Sequence, residues 1–164
     1  MSNGVQSFLS LGALMIFSLI SLRFDSAVLQ NTEVEVENKV YLTAFSLADD
    51  LLEEIKQRAF DEQTVDFKAI TTSALTPSQS LGKESGEAWP NFNDIDDYNN
   101  YSKPVSLPHA ENYTVVSKID YVLESDQNQT STSQTYFKRV EIFVDSPYLR
   151  HQSKLQYVFT LHSK

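Results

Sequence analysis

The first 22 residues of this chain carry no charged side chain. Within them Val5 to Leu22 reads VQSFLSLGALMIFSLISL, interrupted by polar side chains only at Gln6 and four serines. As a helix, these residues rise about 27 Å, close to the roughly 30 Å of a bilayer's hydrocarbon core. Only a helix satisfies every backbone group of a single segment in lipid, so a membrane-spanning helix is expected. Two other readings compete with it. A secretory signal peptide requires a positive n-region, and residues 1–7 hold no Lys or Arg; Ser21, Ser26 and Ala27 supply small residues but no A-x-A cleavage site. A buried core helix is the other reading, and the length of the apolar run counts against it. Residues 1–22 are therefore expected to stay with the protein, apart from a cut after Gly4. Arg23 is the lone basic residue near either end of the span, so Lys/Arg bias says little about orientation. The acidic bulk that follows is expected outside the cytoplasm, on a single-pass inner-membrane protein.

No Pro or Gly occurs from Phe24 to Phe60. Tyr41, Ala44, Phe45, Ala48, Leu51, Leu52, Ile55 and Ala59 recur at spacings of three and four, which draws one stripe along a helix. Asp49, Asp50, Glu53, Glu54, Lys56 and Gln57 fall on the opposite face. Glu33, Val34, Glu35, Val36 and Glu37 alternate as in a strand, against the helical context. A continuous helix from about Val5 to Phe60 would span roughly 80 Å. A domain of this size cannot bury such a rod, so its first half needs lipid or other chains around it.

Residues 61–111 are turn-rich and hold Pro77, Pro90, Pro104, Pro108, Gly82 and Gly86. Three strand signals follow, at Tyr113–Leu123, Thr135–Val144 and Leu155–Leu161. Val115, Ser117, Ile119 and Tyr121 share one side of the first. The short connections favour an antiparallel meander. The predicted organisation is α+β. A membrane and assembly helix (1–24) and its amphipathic continuation (25–60) lead into an ordered loop region (61–111) and a small antiparallel sheet (112–164).

This arrangement resembles the type IV pilin and type II secretion pseudopilin superfamily. ADDLLEEIKQRAFDE (Ala48–Glu62) is similar to the helix end of minor pilin-like proteins. NDIDDYNNY (Asn93–Tyr101) is similar to their acidic Asp-Asp-Tyr-Asn loop. The family's leader is basic, ends in Gly before Phe, and is followed by Glu at the fifth mature position. Here Gly4 precedes Val5, Leu9 is the fifth residue from Val5, and Asp25 is the first acid of the chain. The resemblance is thus to a divergent, minor-pilin-like member. It implies a non-enzymatic subunit of a type IV pilus or secretion-type filament. Phe8, Leu11, Gly12, Leu14, Ile16, Phe17 and Ile20 would pack against other pilin-like subunits after residence in the inner membrane. The alternative is a membrane-anchored periplasmic or surface domain that binds a carbohydrate or protein ligand, with Trp89, Tyr98 and Tyr101 as a stacking surface.

The composition narrows the chemistry further. A formal net charge of -9 disfavours nucleic acid as a partner. With no cysteine there is no thiol nucleophile, thiolate metal site or disulfide, and four glycines leave no phosphate-cradling loop. His109, His151 and His162 have no metal-ligand spacing. The remaining cluster is Asp94, Asp96 and Asp97 with Asn91, Asn93 and Asn99, hard oxygens of the kind calcium prefers. An Asx-rich turn that bonds its own backbone is the competing reading. The family resemblance implies calcium in such a loop; no other cofactor is expected.

Overall fold

The computed structural model describes residues 2–66, 71–107 and 110–161. Helix α1 runs unbroken over Ser2–Lys56, and the short α2 covers Glu62–Val65. Three single 3₁₀ turns follow, at Thr72–Ala74, Ser78–Ser80 and Asp96–Tyr98. Strands β1 (Ser102–Leu107), β2 (Ala110–Tyr121), β3 (Phe137–Asp145) and β4 (Ser153–Thr160) form one antiparallel sheet in the order β1-β2-β3-β4. The protein is α+β, with the C-terminal part of α1 packed on this meander. Residues 1–39 and 40–164 form separate compact units.

In the first unit α1 presents its apolar side chains outward: Phe8, Leu11, Leu14, Ile16, Phe17 and Ile20 are each 60–80% exposed. Polar side chains fold back onto the helix. Ser10 Oγ donates to the carbonyls of Gln6 and Ser7, both at 3.0 Å, and Ser26 Oγ to that of Leu22 at 2.9 Å. The alternating Glu33–Glu37 stretch is helical, its Glu35 paired with Lys39 at 2.8 Å one turn on.

In the second unit Ala44, Ala48, Leu51, Leu52 and Ile55 are buried, as their spacing requires. They join Val115, Ile119 and Tyr121 of β2 and Val140, Ile142 and Val144 of β3 in one core. Each of the large side chains stabilises the fold by about 1.5–3 kcal/mol. Phe45 departs from the expected stripe and is 52% exposed. The sheet's outer face carries a charge lattice instead: Lys118 pairs with Asp120 at 2.7 Å, Arg139 with Glu141 at 3.5 Å, and Lys154 with Glu141 at 2.5 Å.

Two expectations need correction. The helix stops at Lys56, not Phe60. Its end tightens, with Arg58 N–H donating to the Ile55 carbonyl at 3.0 Å. Ala59 then leaves to pair with the acidic loop, donating to the Asn93 carbonyl at 3.1 Å and accepting from Ile95 N–H at 2.9 Å. The 61–111 region, expected as loop, contains β1. Pro104 concealed that strand. It is tolerated because β1 lies at the sheet edge, where a missing N–H breaks no ladder bond.

Candidate functional site

Chain reversal after α1 brings the 59–66 segment, the 84–98 loop and β3 together around one lysine. Lys138 shares the inward side of β3 with Val140, Ile142 and Val144, and it is completely buried. Its Nζ donates to the Phe60 carbonyl at 2.8 Å, Asp61 Oδ2 at 2.7 Å and Asp96 Oδ1 at 2.5 Å. The ammonium lies 4.6 Å from the centre of the Phe60 ring and 5.1 Å from that of Tyr121. Both carboxylates are fully buried with it.

The two acids fare differently. Asp61 caps α2 through Gln63 N–H and accepts from Thr76 N–H and Oγ1, each at 3.1 Å, and from Tyr121 OH at 3.0 Å. Burial raises its carboxyl, but Lys138 and these backbone donors outweigh burial and hold it below the ordinary range. Asp96 lacks such a set of donors. Burial pushes it up to about 7, and Lys138 offsets only part of that.

Asp94, Asp96 and Asp97, expected as one calcium set, do not converge. Asp96 turns to Lys138. Asp94 and Asp97 brace the 3₁₀ turn instead: Asp94 Oδ1 accepts from Asp97 N–H at 3.1 Å, and Asp97 Oδ2 from Asn93 N–H at 2.8 Å. This is the Asx-turn alternative, in which short carboxylates satisfy local backbone donors. Asp94 is fully buried, and burial, then the charge of Asp96, raises it to about 8.

Among the described residues, three carboxylates converge at Glu62, Glu84 and Glu87. Each contributes an oxygen within 4.8 Å of the others. Glu84 and Glu87 close a β-turn, with Glu87 N–H on the Glu84 carbonyl at 3.1 Å and Gly86 at φ +99°, a conformation that suits glycine. This trio can hold a hard cation.

Of the aromatic residues expected as a stacking surface, Tyr98 is closed off in the core, Tyr101 is half-buried and Trp89 is 44% exposed. Tyr98 is fully buried, and its ring meets Phe92 and Tyr101 edge to face at 5.0 and 5.8 Å. Its hydroxyl and Trp89 Nε1 both donate to Glu54 Oε1 at 2.8 Å. Glu54 is thus a tether for the loop, not a member of a solvated face. Lys103 covers Trp89, its Nζ 4.6 Å from the ring centre. The fold places Phe8, Leu11, Leu14, Ile16, Phe17 and Ile20 on α1 without burying them, and Gly12 has open space where a Cβ would project. His151 is exposed, while His109 and His162 lie outside the described residues.

Sequence reading missed Lys138, Asp61 and the glutamate trio. A signal existed for the first: a lysine at the inward parity of an otherwise apolar strand requires a buried anion. Nothing local marked the glutamates, since the turn at Gly86 and the cap at Asp61 bring them together. No family model, no curated protein and no solved structure matches the chain.

Proposed function

We propose that the protein is a membrane-anchored, pilin-like structural subunit that assembles laterally through the first half of α1. One observation carries this reading. The helix is continuous from Ser2 to Lys56, yet among the described residues its first unit buries no large apolar side chain, whereas its last four turns supply one wall of a core. A helix that is apolar on all sides needs lipid or neighbouring helices around it. At 100° per residue, Phe8, Leu11, Gly12, Leu14, Ile16, Phe17 and Ile20 cover the full circumference. Gln6, Ser7, Ser10, Ser18 and Ser21 fall within about 120° of arc, opposite Gly12. Small and hydroxyl-bearing residues on one side of a membrane helix let a second helix approach closely. The C-terminal unit, acidic and led by the span, lies outside the cytoplasm in this reading.

The test is expression of the full chain in a Gram-negative host. Resistance to alkaline extraction from membranes, alkaline phosphatase activity of a C-terminal fusion, and zero-length cross-links between copies are the expected results. Full release into the soluble fraction would overturn the anchor. A membrane protein that remains monomeric alone and beside pilin-like partners would overturn assembly.

A further inference from the structure

We propose that Glu62, Glu84 and Glu87 form a calcium site that ties α2 to the Glu84–Glu87 turn. The assignment begins with convergence. One carboxylate oxygen from each residue lies within 4.8 Å of the others, although the three come from two separated segments. Glu62 is presented by the first turn of α2, which Asp61 caps. Glu84 and Glu87 are drawn together by the turn at Gly86.

A second observation is independent of that cluster. Asp97 is 2% exposed, and its carboxylate stands within hydrogen-bonding range of Glu87. Its Oδ2 is occupied by the N–H groups of Asn93 and Asp94, at 2.8 and 3.3 Å. Its Oδ1 is buried with no donor among the described residues. The same holds for Glu62 Oε2, Glu84 Oε2 and Asn93 Oδ1, while Asn93 Nδ2 donates to Glu87 Oε1 at 3.0 Å. Buried polar oxygens are ordinarily satisfied, and several beside one another without donors call for a cation or protons.

Glu87 is held in place at the cluster, its Oε1 accepting from Asn93 Nδ2 at 3.0 Å and its Oε2 from Glu84 N–H at 3.3 Å. Glu62 and Asp97 add further oxygens. The donors are all carboxylate or amide oxygen, which selects a hard cation over zinc or copper. Several protein carboxylates in an irregular set suit calcium, because magnesium demands near-octahedral geometry and retains water.

The test uses the full-length chain in detergent, stripped with chelator and titrated with calcium chloride by calorimetry, with thermal melts in parallel. Binding of one calcium per chain and a melting temperature that rises by several degrees at about a hundredfold excess over Kd are expected. Magnesium should bind at least about tenfold more weakly. Glu62→Gln and Glu84→Gln should each weaken calcium binding by about tenfold or more. Neither should lower the metal-free melting temperature, because glutamine keeps the shape of glutamate and adds no charge to the cluster. Asp96→Asn, outside the trio, should leave the affinity unchanged. Absence of heat and of any melting shift up to about 10 mM calcium would overturn the site, whatever the variants do. Undiminished binding in Glu62→Gln and Glu84→Gln, or loss confined to Asp96→Asn, would place the ion elsewhere and overturn it equally. Equal affinity for magnesium would overturn the assignment to calcium.

Discussion

Lys138 Nζ lies 2.7 Å from Asp61 Oδ2 across 77 residues of sequence, with both side chains fully shielded from solvent. This pair fastens the chain after α1 to an inner strand of the sheet, and Asp96 joins it from the loop. A buried pair of this kind adds little net stability relative to apolar packing, yet it is costly to break from one side. It also specifies register. Sliding β3 by one residue would place Lys138 on the outer face and Arg139 in the core.

Lys138→Met should destabilise the full-length chain by about 3–5 kcal/mol, because Asp61 and Asp96 then remain buried without their cation. Urea unfolding in detergent, followed by far-UV circular dichroism, reads the change. A loss below about 1 kcal/mol would show that the acids are neutral or solvated in the folded protein.

The two faces of the C-terminal part of α1 should differ sharply. Leu51 is 6% exposed in the core, so Leu51→Asp should cost about 3 kcal/mol or more. Glu53 is exposed and pairs with Lys56 at 2.6 Å, so Glu53→Ala should cost less than about 0.5 kcal/mol. Similar shifts in the denaturation midpoint for both would contradict the helix orientation.

Stability in chelator should decline from mildly acidic to mildly basic pH. Asp94 and Asp96 have folded values raised to about 8 and about 7 from an ordinary 3.8. A carboxyl raised on folding contributes stability that is fully present below its unfolded value and is lost as pH climbs through the folded one. The decline therefore falls between about pH 4 and pH 8. Asp61 is lowered on folding and acts oppositely, removing stability as pH falls below about 4. Thermal melts should thus show a maximum near about pH 4–5. A melting temperature that climbs steadily up to pH 8 would contradict the burial of Asp94 and Asp96.

The assembly reading makes a geometric demand on the first unit. The chain has no native cysteine, so Ser10→Cys and Ser18→Cys report contacts without background. Oxidation in membranes should give disulfide-linked dimers for these positions and much less for Leu19→Cys, which faces the other way. Equal yields at all three positions would indicate random collision rather than a preferred helix face.

The helix over Ser2–Lys56 was legible from local pattern. An uncharged apolar run followed by a stripe at spacings of three and four has few folded solutions, because burial of apolar surface and backbone hydrogen bonding both demand a helix. The inward side of β2, from Val115 to Tyr121, was legible for the same reason, since alternation assigns each residue to a face. Four matters were decided only by the tertiary structure. The last turn of the expected helix gave way at Ala59, where pairing with Asp94 outweighed helical propensity. Ser102–Leu107 became an edge strand despite Pro104, because only the edge excuses the missing N–H. Asp96 separated from Asp94 and Asp97 because a buried ammonium at Lys138 attracts it more strongly than a local turn does. Glu62, Glu84 and Glu87 met only because a cap and a glycine turn placed them so. Periodicity reports which face a residue occupies. Partners distant in sequence depend on desolvation and charge, whose balance exists only once the chain has closed around them.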